Sequence, residues 1–148
     1  MRSVQKEISV RSGALPGWRQ IIPVMAENDT CQVYLTGGLL RKNGHSLSGT
    51  NAGSFASGFR VDKTVLSIGG ISVDQGVTEY HVEESALLRK FIDISGKKIV
   101  LCDYSKFGEV ALNHICPVNV LDAVFTDWRA PMKEVLGLRA KGVKVYMA

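Results

Sequence analysis

An apolar run that ends on an acid and is followed at once by a hydroxyl, a cation and an aromatic is unusual, and LCDYSKFGEV at residues 101–110 is such a run. A carboxylate at the end of a strand can accept hydrogen bonds from sugar hydroxyls. A lysine on the loop beyond it can meet a phosphate as a flexible point charge. Asp103 and Lys106 have those types and that spacing. The same spacing also suits a local salt bridge with Phe107 plugging the core, an exposed pair worth only about 0–1 kcal/mol. Spacing alone leaves both readings open.

Three other apolar runs end in residues suited to a ligand crevice: Thr36-Gly37-Gly38, Ile68-Gly69-Gly70 and Thr126-Asp127. In open parallel sheets ligands sit beyond the carboxyl ends of the strands, near a switch in strand order. Glycine there lets the backbone turn sharply and come close to a ligand, with N–H groups free for anionic oxygens. Each glycine pair taken singly is better explained by the end of a strand. The recurrence at four strand ends is the stronger signal.

Other chemistry finds little support. His45, His81 and His114 lie far apart without metal-ligand spacing. There is no G-x-S-x-G elbow, and the glycine pairs match neither a dinucleotide fingerprint nor a Walker loop. Cys31, Cys102 and Cys116 form no C-x-x-C pair and no even disulfide set, so they read as reduced core or near-core residues. Glu79, Glu83 and Glu84 stand where a long helix begins, and carboxylates there favour the helix dipole.

The elements that must position these residues follow from periodicity. EISV reads as a short strand, and Leu15 to Met25 as a helix that Pro23 kinks or splits. CQVYLT (31–36) reads as a strand, and the Gly- and Ser-rich stretch after it as a loop before a short helix at 51–59. KTVLSI is a strand followed by a polar turn at 74–76. Thr78 caps a helix running to Ser95, on which Val82, Ser85, Leu88, Phe91 and Ile92 form one stripe. KKIVLCDY, LDAVFTD and VKVYM are strands, and Pro131 to Ala140 is a helix ended by Gly142. Such alternation predicts an α/β fold with a mainly parallel sheet covered by helices.

The chain of 148 residues, with 45% hydrophobic and 22% charged residues, is the size and composition of one soluble domain, residues 1–148. No apolar stretch is long enough for a membrane span, and the first residues lack the core of a signal peptide, so a cytoplasmic protein is expected. Residues 1–60 hold seven Lys and Arg against three acids, which accounts for the whole net charge of +4. No basic cluster interleaved with aromatics marks a nucleic-acid surface.

VYLTGGLLRKNGHSLSGTNA, FRVDKTVLSIGGISVDQGVTEYHVEESALLRKFI, IVLCDYSKFGEVALNHICPVNVLDAVFTD and the closing LRAKGVKVYMA resemble, in order, the C-terminal effector-sensing domain of DeoR-family bacterial transcriptional regulators. The resemblance runs from about Glu7 to Ala148 and includes the distinctive D-x-S-K-F-G segment. It implies a Rossmann-like sensor that binds a phosphorylated sugar or related metabolite without catalysis and without a cofactor or metal. By matching positions it points to Asp103, Ser105 and Lys106 as pocket residues, with Gly38, Gly70 and Glu84 beside them.

Against the family pattern, the helix-turn-helix and the first sensor strand with its helix and D-x-G-T-T-like loop are not found ahead of the resemblance. Ser12-Gly13 stands where the family commonly has Thr-Asn, and Leu88 followed by Arg89 where many members carry Lys or Arg. A phosphate would then depend on Lys106, joined by Arg89 if the helix turns it inward. DNA contact would need a separate helix-turn-helix part. Apolar sheet surface left open invites a homo-oligomer. Two alternatives stand beside the sensor: a truncated oligomerisation or interaction module that pairs with intact regulator subunits, and a sugar-phosphate isomerase-like enzyme.

Overall fold

A computed structural model of the chain describes residues 8–10, 18–30, 32–40 and 47–148. Ser12, Gly13, Cys31 and His45 lie outside the described residues. In chain order the first half holds β1 (Ile8–Val10), α1 (Trp18–Ala26), β2 (Leu39–Leu40), β3 (Leu47–Ser48), α2 (Thr50–Ser57), β4 (Val61–Leu66), β5 (Gly70–Ser72) and β6 (Gly76–Glu79). The second half holds α3 (Val82–Ile94), β7 (Ser95–Leu101), β8 (Asn113–Cys116), β9 (Ala123–Thr126), α4 (Met132–Ala140) and β10 (Lys144–Met147), with 3-10 turns at Tyr104–Lys106 and Val118–Val120.

Five strands form one parallel sheet in the order β1-β4-β7-β9-β10. Because the order is the chain order, every crossover steps the same way. Right-handed crossovers that all step the same way must all pass over the same face. Thr64, Leu66, Val100, Val124 and Val145 point to that face, and all five are buried. Leu66, Val100, Val124 and Val145 join Leu87, Leu88 and Phe91 of α3 and Val135 and Leu138 of α4 in one core cluster. Each enclosed aliphatic side chain of this kind contributes about 1.5–3 kcal/mol.

The opposite face carries Lys63, Val65, Lys97, Ile99, Leu101, Phe125, Lys144 and Tyr146, which keep some exposure, and Val61, Ser95 and Ala123, which are buried. Phe125 and Tyr146 stack on it with ring centroids 4.7 Å apart. The parallel α/β sheet is as expected. Among the described strands, however, the order never reverses, so the expected switch point does not form there.

Beside this sheet β5, β6 and β8 make a small antiparallel sheet that periodicity did not reveal, since Gly70, Ser72, Gly76 and Asn113 break up its apolar runs. The polar turn at 74–76 is the tip of its first hairpin. Thr78 is therefore a β6 residue and not a helix cap. Its buried hydroxyl accepts from Ala111 N at 2.9 Å and donates to Gly70 O at 3.4 Å. The helix starts only at Val82, after His81.

Residues 32–38 make no strand, against the expectation for CQVYLT. They find no ladder partner among the described strands, and Tyr34 sets its ring against Phe59 at 5.8 Å instead. Pro23 lies inside α1 without ending it, as the bond from Glu27 N to Pro23 O at 3.0 Å attests. Arg89 does not turn toward the loop after β7. Its guanidinium donates to His114 O, from Nε at 3.1 Å and from Nη2, and so fastens α3 to β8.

Thr64 is fully enclosed, and its hydroxyl has no hydrogen-bond partner among the described residues. Replacing an unpaired buried hydroxyl by a methyl of the same shape removes a desolvation cost. Thr64→Val should raise the unfolding free energy by about 1 kcal/mol, read as a higher denaturant midpoint at unchanged slope. A lower midpoint would contradict this.

Candidate functional site

The loop after β7 is shaped by its own carboxylate. Asp103 Oδ1 accepts from Ser105 N at 2.8 Å and so caps the turn Tyr104–Lys106. Hydrogen bonding from the Ser105 side chain is the main cause that holds the Asp103 carboxyl below its ordinary 3.8. Burial opposes it, and the Ser105 N–H and the Lys106 charge add to the lowering. Phe107 then drops into the core, 8% exposed.

The loop after β9 repeats the device. Asp127 Oδ1 accepts from Arg129 N and from Arg129 Nε, both at 3.0 Å. Its other oxygen, Oδ2, accepts from Tyr104 N at 2.8 Å. One carboxylate thus joins two adjacent strand-end turns. Partial desolvation pushes the Asp127 carboxyl up, but the bonds from Tyr104 N and from Arg129 outweigh it and leave it below 3.8. The hydrogen bond to Asp127 in turn raises Arg129. Arg129 lies over the Tyr104 ring, its Cζ 4.0 Å from the ring centre. Trp128 between them is 75% exposed.

Lys106 is half-buried on the same loop. The one ion pair between described residues is Arg129 with Asp127. Lys106 and Asp103 are close enough to influence each other electrostatically, yet they form no salt bridge. Of the bland alternative, then, the Phe107 plug is present and the salt bridge is not.

The six residues singled out from sequence fall into two groups. Asp103, Ser105 and Lys106 share the loop after β7, and Gly70 buttresses it. A Cβ on Gly70 would stand 2.3 Å from Glu109 O, and next to it Gly108 N donates to Ile71 O at 2.8 Å. The close approach that Gly70 permits is therefore to the protein's own chain.

Gly38 and Glu84 belong to the second group. Gly38 has φ +105, and a Cβ there would stand 2.4 Å from Ser48 O. Ser48 donates to Glu83 Oε2 at 3.2 Å. Glu84, 8% exposed, lines a cleft of about 230 Å³ with Leu39, Ser48, His81, Val82 and Glu83. Because α3 ends directly at the amino end of β7 and is about 20 Å long, its first turn lies at the carboxyl edge of the sheet. The two groups therefore share that edge.

Both described thiols are disfavoured as thiolates. Burial, aided by Asp103, pushes Cys102 up to about 12, and burial pushes Cys116 to about 11. Among the described residues no three His, Cys, Asp or Glu side chains are placed to hold a metal ion.

The family model "DeoR C terminal sensor domain" matches residues 19–128 of this chain. The chain belongs to the DeoR C-terminal sensor domain family. It is similar to the HTH-type transcriptional repressor GlcR of Bacillus subtilis (strain 168), 32% identical over 104 residues, 70% of this chain and 40% of that protein. It is also similar to the glycerol-3-phosphate regulon repressor of Escherichia coli (strain K12), 33% identical over 101 residues, 68% of this chain and 40% of the relative. The HTH-type transcriptional repressor CsqR of the same strain is 28% identical over 112 residues, 76% of this chain and 43% of its own length. The chain spans half or less of the length of the curated relatives it matches. Among the described residues no helix of this sensor domain is long and apolar enough to cross a membrane.

Sequence reasoning reached the loop after β7 but passed over Arg129 and the bridging role of Asp127. The available signal was an Asp at each of two strand ends with its cap on the residue two positions later, Ser105 in one and Arg129 in the other.

The lowered carboxyls set an acid dependence. A group whose folded pKa is depressed stabilises fully above its unfolded value and loses that contribution as pH falls through the folded one. Asp127→Asn should therefore be less stable than wild type near neutrality, and the gap should close as pH falls below 3.8. Unfolding midpoints measured against pH check this, and a gap that widens in acid would contradict it.

Proposed function

We propose that this sensor domain binds a phosphorylated sugar or related metabolite without turning it over, as the effector-sensing part of a transcriptional regulator. The observation that carries the reading is Lys106, half-buried at the carboxyl edge of the sheet and outside any salt bridge among the described residues. An ammonium at that edge without an ion-pair partner is available to an anion as a point charge. In this reading Lys106 meets the phosphate, and Asp103, with one oxygen committed to the turn, accepts a ligand hydroxyl through the other.

Ser105 shapes the loop by capping. Gly38, Gly70 and Glu84 shape the edge around the ligand. One similar repressor is named for glycerol-3-phosphate, a phosphorylated polyol, which supports the ligand class. Operator contact belongs to a separate helix-turn-helix part, and the setting is cytoplasmic. Burial pushes both described thiols up, which favours sensing over thiol-based catalysis.

Thermal unfolding against glycerol-3-phosphate, an aldose phosphate, a ketose phosphate and their unphosphorylated parents tests the proposal. A ligand at about 100 times its dissociation constant adds about 2.7 kcal/mol, several degrees for a domain of this size. A shift confined to phosphorylated compounds and lost in Lys106→Ala is expected. Turnover of a phosphosugar, abolished in Asp103→Ala, would replace the sensor by an enzyme.

A second reading, an oligomerisation or interaction module, is favoured by the Phe125–Tyr146 stack, 42% and 48% exposed on the open face of the sheet. Stacked aromatics left half in water are typical of surfaces that meet another protein. If this face joins copies of the chain, Tyr146→Lys should lower the mass seen in sedimentation equilibrium while leaving the fold intact. An unchanged mass would exclude that face.

A further inference from the structure

Arg129 is positioned more tightly than a surface arginine needs to be. Its Nε and backbone N–H are both bound to Asp127 Oδ1, and its guanidinium carbon lies over the Tyr104 ring, 4.0 Å from the ring centre. These restraints act on one edge and one face. They leave the two terminal nitrogens without a hydrogen-bond partner among the described residues, on a side chain that is 51% exposed. Asp127 also holds Tyr104 N, so the arginine is locked to the very turn that carries Lys106. Arg129 feels the charge of Asp103 as well, which places it within the same electrostatic cluster as the loop after β7.

A guanidinium fixed by an aromatic face and a carboxylate is a planar fork ordered before any ligand arrives. Such a fork matches two oxygens of a phosphate at once, whereas an ammonium offers a point charge. Pre-ordering also removes most of the entropy that a free arginine would lose on binding. Resting on the effector-site reading above, we propose that Arg129 is a specificity-determining ligand residue, whose terminal nitrogens take two oxygens of a phosphomonoester dianion that Lys106 holds from the neighbouring loop. Tyr104 and Asp127 are its positioning residues. The preference is for a doubly charged phosphoester over a neutral sugar of the same shape.

Calorimetric titration of the full chain separates this from the broader reading. The probes are glycerol-3-phosphate, an aldose phosphate, a ketose phosphate and their unphosphorylated parents, and the proteins are wild type, Lys106→Ala, Arg129→Gln and Arg129→Lys. The phosphoester that wild type binds best should lose roughly tenfold or more in Arg129→Gln. Arg129→Lys, which keeps the charge and loses the fork, should regain only part of that loss while its unliganded melting temperature stays near wild type. If both Arg129 variants bind as wild type does and Lys106→Ala does not, the role of Arg129 is overturned and the sensor reading stands. If wild type binds no phosphoester, both fall.

Discussion

The architecture depends on the constraint that the five parallel strands stand in chain order. Right-handed crossovers then have no choice of side, so α3 and α4 collect over one face, and the small antiparallel sheet packs against α3. That face becomes the core, with Leu66, Leu88, Val100, Val124 and Leu138 fully enclosed. The other face keeps Lys63, Lys97 and the Phe125–Tyr146 stack in contact with water. Helix positions follow as well. With every crossover returning from carboxyl to amino edge, the start of α3 and the loops after β7 and β9 meet at one rim.

At that rim the backbone is organised by carboxylates more than by glycines. Asp103 and Asp127 each cap the residue two positions on, and Asp127 spends its second oxygen on Tyr104 N. The two loops thereby behave as one piece. The glycines serve a different end, for the space beside Gly38 and Gly70 is filled by Ser48 and Glu109 carbonyls. Close backbone approach, read from the sequence as room for a ligand, is used by the protein to bring its own segments together.

Much of this was legible in the residues. The apolar runs at β4, β7, β9 and β10 stand out between turn residues, and the α3 stripe is buried at Ser85, Leu88 and Phe91 as its spacing predicts, whereas Val82 at its start is exposed. The small sheet was not legible, because β5, β6 and β8 owe their existence to pairing across the chain. Thr78 illustrates the difficulty. A threonine ahead of a helical stripe is a good cap on local grounds, yet its hydroxyl is committed to Ala111 and Gly70, partners that sequence spacing does not reveal. The site was half legible for the same reason: the D-x-S-K segment announces itself locally, whereas the tie between Asp127 and Tyr104 spans 23 positions.

Trp128 gives the rim a property of another kind. It is one of two tryptophans in the chain, and it stands between Asp127 and Arg129 with its indole 75% exposed. Indole emission moves to shorter wavelength as water is excluded from the ring, and a nearby charge alters its yield. The fold has thus set a natural fluorophore on the link between its two strand-end loops, where any rearrangement of those loops is converted directly into light.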